Sequence, residues 1–364
     1  MCRVVMQMRG ETARGWVRTR VWKRAGSAAH SRWVAVERAA VKSPPQRRPP
    51  MVYHPEYSFE WPEKHRFKMR KFRDVREVLR QEGILPDGAE IQPIMPLEEW
   101  LKLAHCPAYI SAFQNGDLSA AAMRRIGFEW SEPLVKRTLL EVSGTVKCAE
   151  LALEHGVSVH LAGGTHHASF DEGAGFTILN DLAVAALVSK ESAAHLRVRD
   201  VLIFDCDVHQ GDGTARIFER LQQQQQQQRP RGVFTCSVHC AQNWPTLKAR
   251  SHLDVPLEQG TSDAAYLATV RTVLHDLLAR GTFGLVLYDA GVDVSARDAL
   301  GKLELTDDGI FERDRFVFEA CAQRDIPVAA VIGGGYHRDA AELAQRHAIV
   351  HRAASDVWSR MFSP

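Results

Sequence analysis

The chain has 364 residues, of which 45% are hydrophobic and 25% charged, as is ordinary for a globular protein. No apolar run approaches the roughly 20 residues that a membrane span needs. The seven cysteines form no CxxC pair, which argues against a disulfide framework or a zinc ribbon and favours a reducing, intracellular compartment. Residues 51–364 carry 34 basic and 42 acidic side chains. This balance argues against a nucleic-acid groove and is compatible with a basic substrate.

The first fifty residues differ in composition from the rest of the chain. They carry twelve Lys or Arg, have only Glu11 and Glu37 as acids, and end in prolines. Such a segment is typical of an organelle transit peptide, and a wrongly assigned start upstream of Met51 would explain it equally well. We therefore exclude residues 1–50 from the fold and predict one folded domain over 51–364. The compartment within the cell stays open: nucleus or cytoplasm, or the mitochondrion or plastid if the transit peptide is genuine.

Along that domain, helical patterns alternate with apolar stretches that end at His, Asp or Tyr. The helical patterns cover 134–154, 181–189, 212–221, 263–280, 308–324 and 339–360, and the apolar stretches cover 157–167, 201–212, 232–239, 285–293 and 328–336. Continuous apolar runs are typical of buried parallel strands, so the alternation predicts an α/β fold with a mostly parallel central sheet and helices on both faces. Ligands bind beyond the carboxyl ends of such strands, so five polar strand ends predict one active site. The glutamine run at 222–228 is interpreted as a surface-loop expansion.

Two of the strand ends offer ligands for a metal ion. Asp207 and His209 are two residues apart and point to the same side of an extended chain, so both can bind one cation. Asp293 ends another strand. Two carboxylates and one imidazole leave a coordination position open, as a catalytic Zn²⁺ site requires. The alternative is that these carboxylates cap neighbouring helices, and the histidine and tyrosine motifs at other strand ends argue against it.

The adjacent His166 and His167 indicate acid/base chemistry. They follow two glycines that permit a sharp turn, which presents both imidazoles to one cavity. A histidine that acts as a base near neutral pH is commonly oriented by a carboxylate on its other ring nitrogen. Asp205 and Asp212 lie on the neighbouring segment and are the candidate partners.

The last strand is followed by a GGGY sequence at 333–336. Glycines there allow the backbone to approach a ligand closely, and the phenol of Tyr336 can donate a hydrogen bond to a carbonyl oxygen that becomes an oxyanion. An isolated GGGY also suits a phosphate-binding turn. Because no G-x-G-x-x-G or Walker pattern accompanies it, nucleotide binding is disfavoured.

Four segments together resemble the zinc-dependent histone deacetylase family, in particular its class IV and bacterial deacetylase-like branch. They are GGTHHASFDEGAGF (163–176), FDCDVHQGDGTA (204–215), DAGVDVSARDALGKLELT (289–306) and IGGGY (332–336). The similarity extends from about Tyr53 to the C-terminus. It implies the three-layer arginase/deacetylase-like fold, one Zn²⁺ and a structural K⁺.

The resemblance also implies roles for individual residues. The zinc ligands would be Asp207, His209 and Asp293. The general acid/base pair would be His166 and His167, backed by Asp205 and Asp212, with Tyr336 as the carbonyl-polarising residue. The acyl-lysine tunnel would be lined by Gly175, Phe176 and Trp244, and the K⁺ would bind at Asp205, Asp207, His209 and Ser237. Arg66 matches the arginine of an internal acetate-release channel.

The implied function is zinc-dependent hydrolysis of acetyl or longer acyl groups from lysine side chains of proteins, with histones among the candidate substrates. Arginase-like enzymes carry a further aspartate where this chain has Gly211, which argues against a second metal. Selective polyamine deacetylases have a glutamate near the tunnel mouth where Leu300 aligns, so an acetylpolyamine or other small amide is the alternative substrate. A catalytically inert scaffold of the same fold is a further alternative, although the predicted ligands and Tyr336 are all intact. Acyl chain length, native substrate and oligomeric state stay open.

Overall fold

The computed structural model describes residues 19–24, 33–38, 48–192, 200–224, 232–280 and 283–361. The chain divides into two units, one within residues 1–46 and one from residue 47 onward. In the first unit, β1 (Thr19–Arg24) and β2 (Trp33–Arg38) pair as an antiparallel hairpin. The rest of the predicted N-terminal extension up to residue 47 lies outside the described residues, as do glutamines 225–228. The domain boundary at residue 50 stays a prediction.

The second unit is built on a parallel sheet of seven strands. They are β3 (Met51–Val52), β4 (Val157–His160), β5 (Asp200–Asp205), β6 (Val233–Cys240), β7 (Leu253–Leu257), β8 (Phe283–Asp289) and β9 (Val328–Val331). Their order is β3-β4-β9-β8-β5-β6-β7, and every neighbouring pair is parallel. The five central strands confirm the predicted sheet. The two edge strands were not predicted, because β3 has only two residues and β7 contains Pro256, which is tolerated at a sheet edge.

Helices cover the sheet on both faces and complete the three layers. They are α1 (Lys71–Gln81), α2 (Glu98–Ala104), α3 (Pro107–Asn115), α4 (Ala120–Ile126), α5 (Glu132–His155), α6 (Asp181–Ser192), α7 (Asp212–Gln224), α8 (Asp263–Ala279), α9 (Asp307–Ala322), α10 (Ala340–His347) and α11 (Ile349–Met361), with a short 3₁₀ helix at Pro55–Tyr57. Helix α5 packs on α6, and α9 packs on α8 and α11. None of the described helices is long and apolar enough to cross a membrane.

One predicted helix is divided in two. The pattern at 339–360 predicts a single helix, whereas the structure has two helices, α10 and α11, separated at Ala348. The break lets α10 pack against α1 while α11 packs against α9. Apolar spacing alone does not reveal this change of packing partner.

The strand order brings the carboxyl ends of β4, β9, β8 and β5 together at one edge of the sheet. A fully buried arginine of α9 forms hydrogen bonds to the loops that follow two of these strands. Arg313 donates hydrogen bonds to the carbonyls of Cys206, Ala290 and Gly291 at 2.8–3.2 Å, and its charge is paired with Asp314 at 2.8 Å. The guanidinium has several donors in a rigid fork, which suits it to hold two loops at once. The loops that follow β5 and β8 are therefore fixed relative to each other.

Candidate active site

The loops after β5 and β8 bring three predicted metal ligands together. The Nδ1 atom of His209 lies 3.1 Å from Asp207 Oδ1 and 3.1 Å from Asp293 Oδ2. One ligand atom from each residue can be chosen so that all lie within 4.8 Å of one another. Backbone amides orient both carboxylates, since Val208 N donates to Asp293 Oδ1 at 2.9 Å and Gly334 N donates to Asp207 Oδ2 at 2.7 Å.

The electrostatics of this cluster fit a bound cation. All three side chains are buried. Burial, reinforced by the negative charge of Asp207, raises the pKa of Asp293 to about 7. Burial alone would lower the pKa of His209, but its hydrogen bonds to Asp207 and Asp293 raise it to about 10. Two carboxylate oxygens and one imidazole nitrogen suit a catalytic zinc with an open position, and binding it requires that His209 Nδ1 gives up its proton.

The two histidines after β4 lie beside this cluster. Their Nε2 atoms are 3.1 Å apart. The Nδ1 atom of His166 lies 2.8 Å from Asp205 Oδ2, and that of His167 lies 2.8 Å from Asp212 Oδ1. Each histidine therefore lies against the carboxylate that the sequence predicts for it, and both histidines line the same cavity.

The surroundings shift the pKa values of the two histidines in opposite directions. Burial opposes the charged form of His166, but the carboxylates of Asp205 and Asp207 outweigh it and raise the pKa well above its ordinary value. Burial, followed by the positive charge of His166, lowers the pKa of His167 to about 3 despite its bond to Asp212. The surroundings therefore favour the charged form of His166 and the neutral form of His167.

A buried aspartate at the start of α6 holds the turn that carries these histidines. Asp181 accepts hydrogen bonds from Gly164 N at 3.0 Å, from Thr165 N at 2.7 Å and from the hydroxyls of Thr145 and Thr165, each at 2.6 Å. From sequence, Asp181 looked like an ordinary acidic residue in the first turn of a helix. Its contact with a turn 16 residues earlier carries no local signal.

A second carboxylate that the sequence did not single out lies next to His166. Asp289 ends β8, is fully buried, and has its Oδ2 atom 3.9 Å from His166 Nδ1. With Asp205 and His166 it forms the other group among the described residues whose ligand atoms converge. Burial and the charge of Asp205 raise the pKa of Asp289 well above its ordinary value.

Aromatic side chains and a glycine form the entrance to the cavity. The rings of His167 and Trp244 are 4.3 Å apart and meet edge to face, and those of Phe176 and Tyr336 are 5.8 Å apart. At Gly175, a Cβ atom would lie 2.9 Å from both His167 and Trp244, so a side chain would not fit. Phe176 has a φ of +66°, in the left-handed region that few non-glycine residues adopt.

Tyr336 lies beside the metal cluster at the wall of the cavity. Its ring centroid is 6.3 Å from that of His209, and it lines the same cavity as His166, His167 and Asp207. Burial and the nearby carboxylates of Asp207 and Asp293 raise the pKa of Tyr336 well above its ordinary value. The phenol therefore keeps its proton at neutral pH and can donate it in a hydrogen bond.

The prediction for Arg66 is wrong in its placement. Its side chain is exposed, so it does not line an internal channel. The cations that line the inner cavity are Lys71 of α1 and Arg137 of α5, and the latter is paired with Glu141 at 2.7 Å. Burial and the charge of Arg137 lower the pKa of Lys71 to about 8. The short HRF motif matched a family pattern but does not determine where its side chains point.

Two further predicted residues lie close to the site. Ser237 of β6 is the register partner of Asp205, so it lies beside the loop predicted to bind potassium. Leu300 is half-buried, and its carbonyl accepts a hydrogen bond at 3.0 Å from Asn243, the residue before Trp244. These placements are compatible with the predicted roles, which stay predictions.

The comparisons with known proteins agree with this geometry. A family model for the histone deacetylase domain matches residues 65–351 of this chain. The chain belongs to the histone deacetylase family. It is 46% identical to an uncharacterized protein of Picosynechococcus sp. over 309 residues. These aligned residues are 85% of this chain and 99% of the relative. It is 27% identical over 289 residues to histone deacetylase 2 of Arabidopsis thaliana, which covers 77% of this chain and 71% of the relative.

A solved structure supports the fold assignment. The crystal structure of the HDA15 HD domain superposes with a TM-score of 0.68 at 20% sequence identity, covering 87% of this chain and 90% of that one. The α/β three-layer arrangement predicted from the sequence is thereby confirmed. Membership of the histone deacetylase family supports a deacetylase activity, and the family is typically metal-dependent.

Proposed function

We propose that this histone deacetylase-family chain is a zinc-dependent lysine deacylase that removes acetyl or longer acyl groups from protein side chains. The observation that carries the proposal is the convergence of Asp207, His209 and Asp293 beside a pair of histidines. The pKa of one of these histidines is raised and that of the other is lowered. The described part of the chain brings a hydrogen-bond donor, Tyr336, to the same cavity. Metal-assisted hydrolysis of an amide uses a metal ion, an acid/base group and a donor to the developing oxyanion.

The proposed zinc would be held by the two carboxylates and the imidazole of the buried cluster. When bound, it would polarise the acyl carbonyl and lower the pKa of the attacking water. The His166–His167 pair, each member oriented by a carboxylate on Nδ1, takes the proton of that water and returns a proton to the departing lysine amine. Tyr336 donates a hydrogen bond to the carbonyl oxygen as negative charge develops on it.

The entrance supports a lysine side chain as the group that enters. The aliphatic stem of a lysine would contact the aromatic rings of Phe176 and Trp244, and Gly175 brings its backbone close to Trp244 without a side chain. A structural K⁺ is proposed at the carbonyls of Asp205, Asp207 and His209 together with Ser237. Acetylpolyamines present a similar aliphatic amine, so they are the second substrate class to be tested.

The test is hydrolysis by the zinc-loaded protein of a panel of acyl-lysine peptides, from acetyl to myristoyl, together with acetylated polyamines. Release of free lysine peptide is expected, and the relative rates identify the acyl length and substrate class. Asp293→Ala should lose both zinc and activity, whereas Asp276→Ala, at an exposed carboxylate of α8, should lose neither. Stoichiometric zinc with no hydrolysis of any substrate would favour the inert scaffold instead. Full zinc content in Asp293→Ala would contradict the ligand assignment.

A further inference from the structure

One carboxylate joins the loop that begins at Asp293 to the tyrosine of the GGGY turn. Asp298 Oδ1 accepts hydrogen bonds from Leu300 N at 2.8 Å and from Gly301 N at 2.9 Å. Its other oxygen, Oδ2, accepts from Tyr336 N at 2.7 Å. A single side chain therefore satisfies three backbone donors in two segments that are far apart in sequence.

The loop that carries Asp298 closes on the backbone of a predicted metal ligand. At Gly301, a Cβ atom would lie 1.8 Å from the carbonyl oxygen of Asp293, so these two backbones are in direct contact. Gly334, earlier in the glycine turn, is held by other hydrogen bonds: Val292 N donates to Gly334 O at 2.8 Å, and Gly334 N donates to Asp207. Beyond Gly334, the bond to Asp298 fixes the backbone of Tyr336 relative to Asp293.

We propose that Asp298 is a positioning residue that sets where the Tyr336 phenol stands relative to the metal cluster. This inference rests on the proposed function, because it requires that Tyr336 takes part in hydrolysis. A carboxylate is needed at this position because both of its oxygens accept. An asparagine has one accepting oxygen and a donating NH₂ group, so it would turn a donor toward either Tyr336 N or the loop amides. A misplacement on the order of 1 Å is enough to cost about 10²-fold in rate.

The test is a double-mutant cycle with Tyr336→Phe. In the otherwise unchanged protein, Asp298→Asn should lower kcat by about 10- to 100-fold, with KM and zinc content nearly unchanged. In the Tyr336→Phe protein the same substitution should lower kcat by less than about 3-fold, because the group it positions has already been removed. Equal losses in both backgrounds, or a kcat at the level of the unchanged protein in Asp298→Asn, would overturn the inference.

Asp263→Asn is the matched control. Asp263 accepts hydrogen bonds from the backbone and hydroxyl of Thr306 at 2.9 and 2.6 Å, away from the tyrosine. Its loss should leave kcat unchanged. If Asp298→Asn fails to fold, Asp298→Ser takes its place, because a serine hydroxyl can still accept from the nearby loop amides but is too short to hold Tyr336 N.

Hydrogen exchange separates failure of this inference from failure of the proposed function. In Asp298→Ser, amide exchange in residues 332–338 should rise, whether or not the phenol is present, because the Tyr336 amide has lost its acceptor. Unchanged exchange contradicts the positioning role even if the protein is active. A wild-type rate in Tyr336→Phe contradicts the donor role of the phenol, and no hydrolysis by the unchanged protein contradicts the proposed function. In both cases the exchange result still decides whether Asp298 holds the turn.

Discussion

Replacing Gly334 by alanine should weaken binding of the proposed zinc in a protein that still folds. Gly334 is not among the glycines with positive φ, so alanine can adopt its backbone conformation. The added Cβ atom would lie 2.2 Å from Asp293 Oδ2 and 2.5 Å from Asp207 Oδ2. The methyl group therefore points directly at two of the three predicted metal ligands.

The size of the effect follows from these distances. Ordinary contacts begin at 3.4 Å, so the Asp293 oxygen must retreat by about 1.2 Å. A metal site tolerates deviations of only about 0.2 Å in its ligand distances. Loss of an outer-shell partner alone typically costs 10- to 100-fold in metal affinity. Direct displacement of two ligands should therefore weaken zinc binding by at least about 10²-fold, while overpacking costs about 1–3 kcal/mol of folding free energy.

Gly335→Ala is the matched control in the same turn. Its Cβ atom would lie 2.6 Å from His347 Nε2 and 2.7 Å from Val292 Cγ2, so the steric conflict falls in the core rather than among the ligands. Both variants would be measured by zinc titration against a competing chelator and by thermal denaturation. Gly335→Ala should lose stability but bind zinc, and Gly334→Ala should lose zinc affinity. Zinc binding of wild-type strength in Gly334→Ala would refute the assignment of these carboxylates as ligands.

Three further measurements address other parts of the structure. Tyr336→Phe should lower kcat by about 10²–10³, roughly 3–4 kcal/mol of barrier, with zinc content and thermal midpoint unchanged; a wild-type kcat in the zinc-loaded variant would rule out the donor role. Burial lowers the pKa of His105 to about 4 and that of His160 to about 3, so the unfolded chain binds protons that the fold excludes. The free energy of unfolding should keep its full value above pH 6.5 and fall by about 2–3 kcal/mol per histidine as the pH approaches 4. Urea midpoints that are equal at pH 7.5 and 4.5 would contradict this. A chain that begins at Arg48 should keep its fold and activity, whereas one that begins at Met51 loses the Pro50 carbonyl, which accepts two hydrogen bonds from β4, and should denature at a lower temperature.

The strand ends could be predicted from sequence because their signal is local. Asp207 and His209 follow an apolar run directly, so their spacing and the parallel sheet suffice to bring them to one edge. Lys71 and Arg137 could not be predicted in this way. They lie on helices, where a Lys or Arg ordinarily faces solvent, and only the packing of α1 and α5 around the cavity buries them.

The pKa values of the two histidines are shifted in opposite directions. These shifts depend on the tertiary placement of nearby charges, which the sequence alone does not give. His166 and His167 are adjacent and identical, and each contacts one carboxylate at 2.8 Å. The ends of β5 and β8 bring two more carboxylates near His166 alone, with Asp207 at 3.7 Å and Asp289 at 3.9 Å. His167 instead faces the positive charge of its neighbour at 3.1 Å. The two histidines therefore differ in the charges around them: the carboxylates raise the pKa of His166, whereas burial and the charge of His166 lower that of His167.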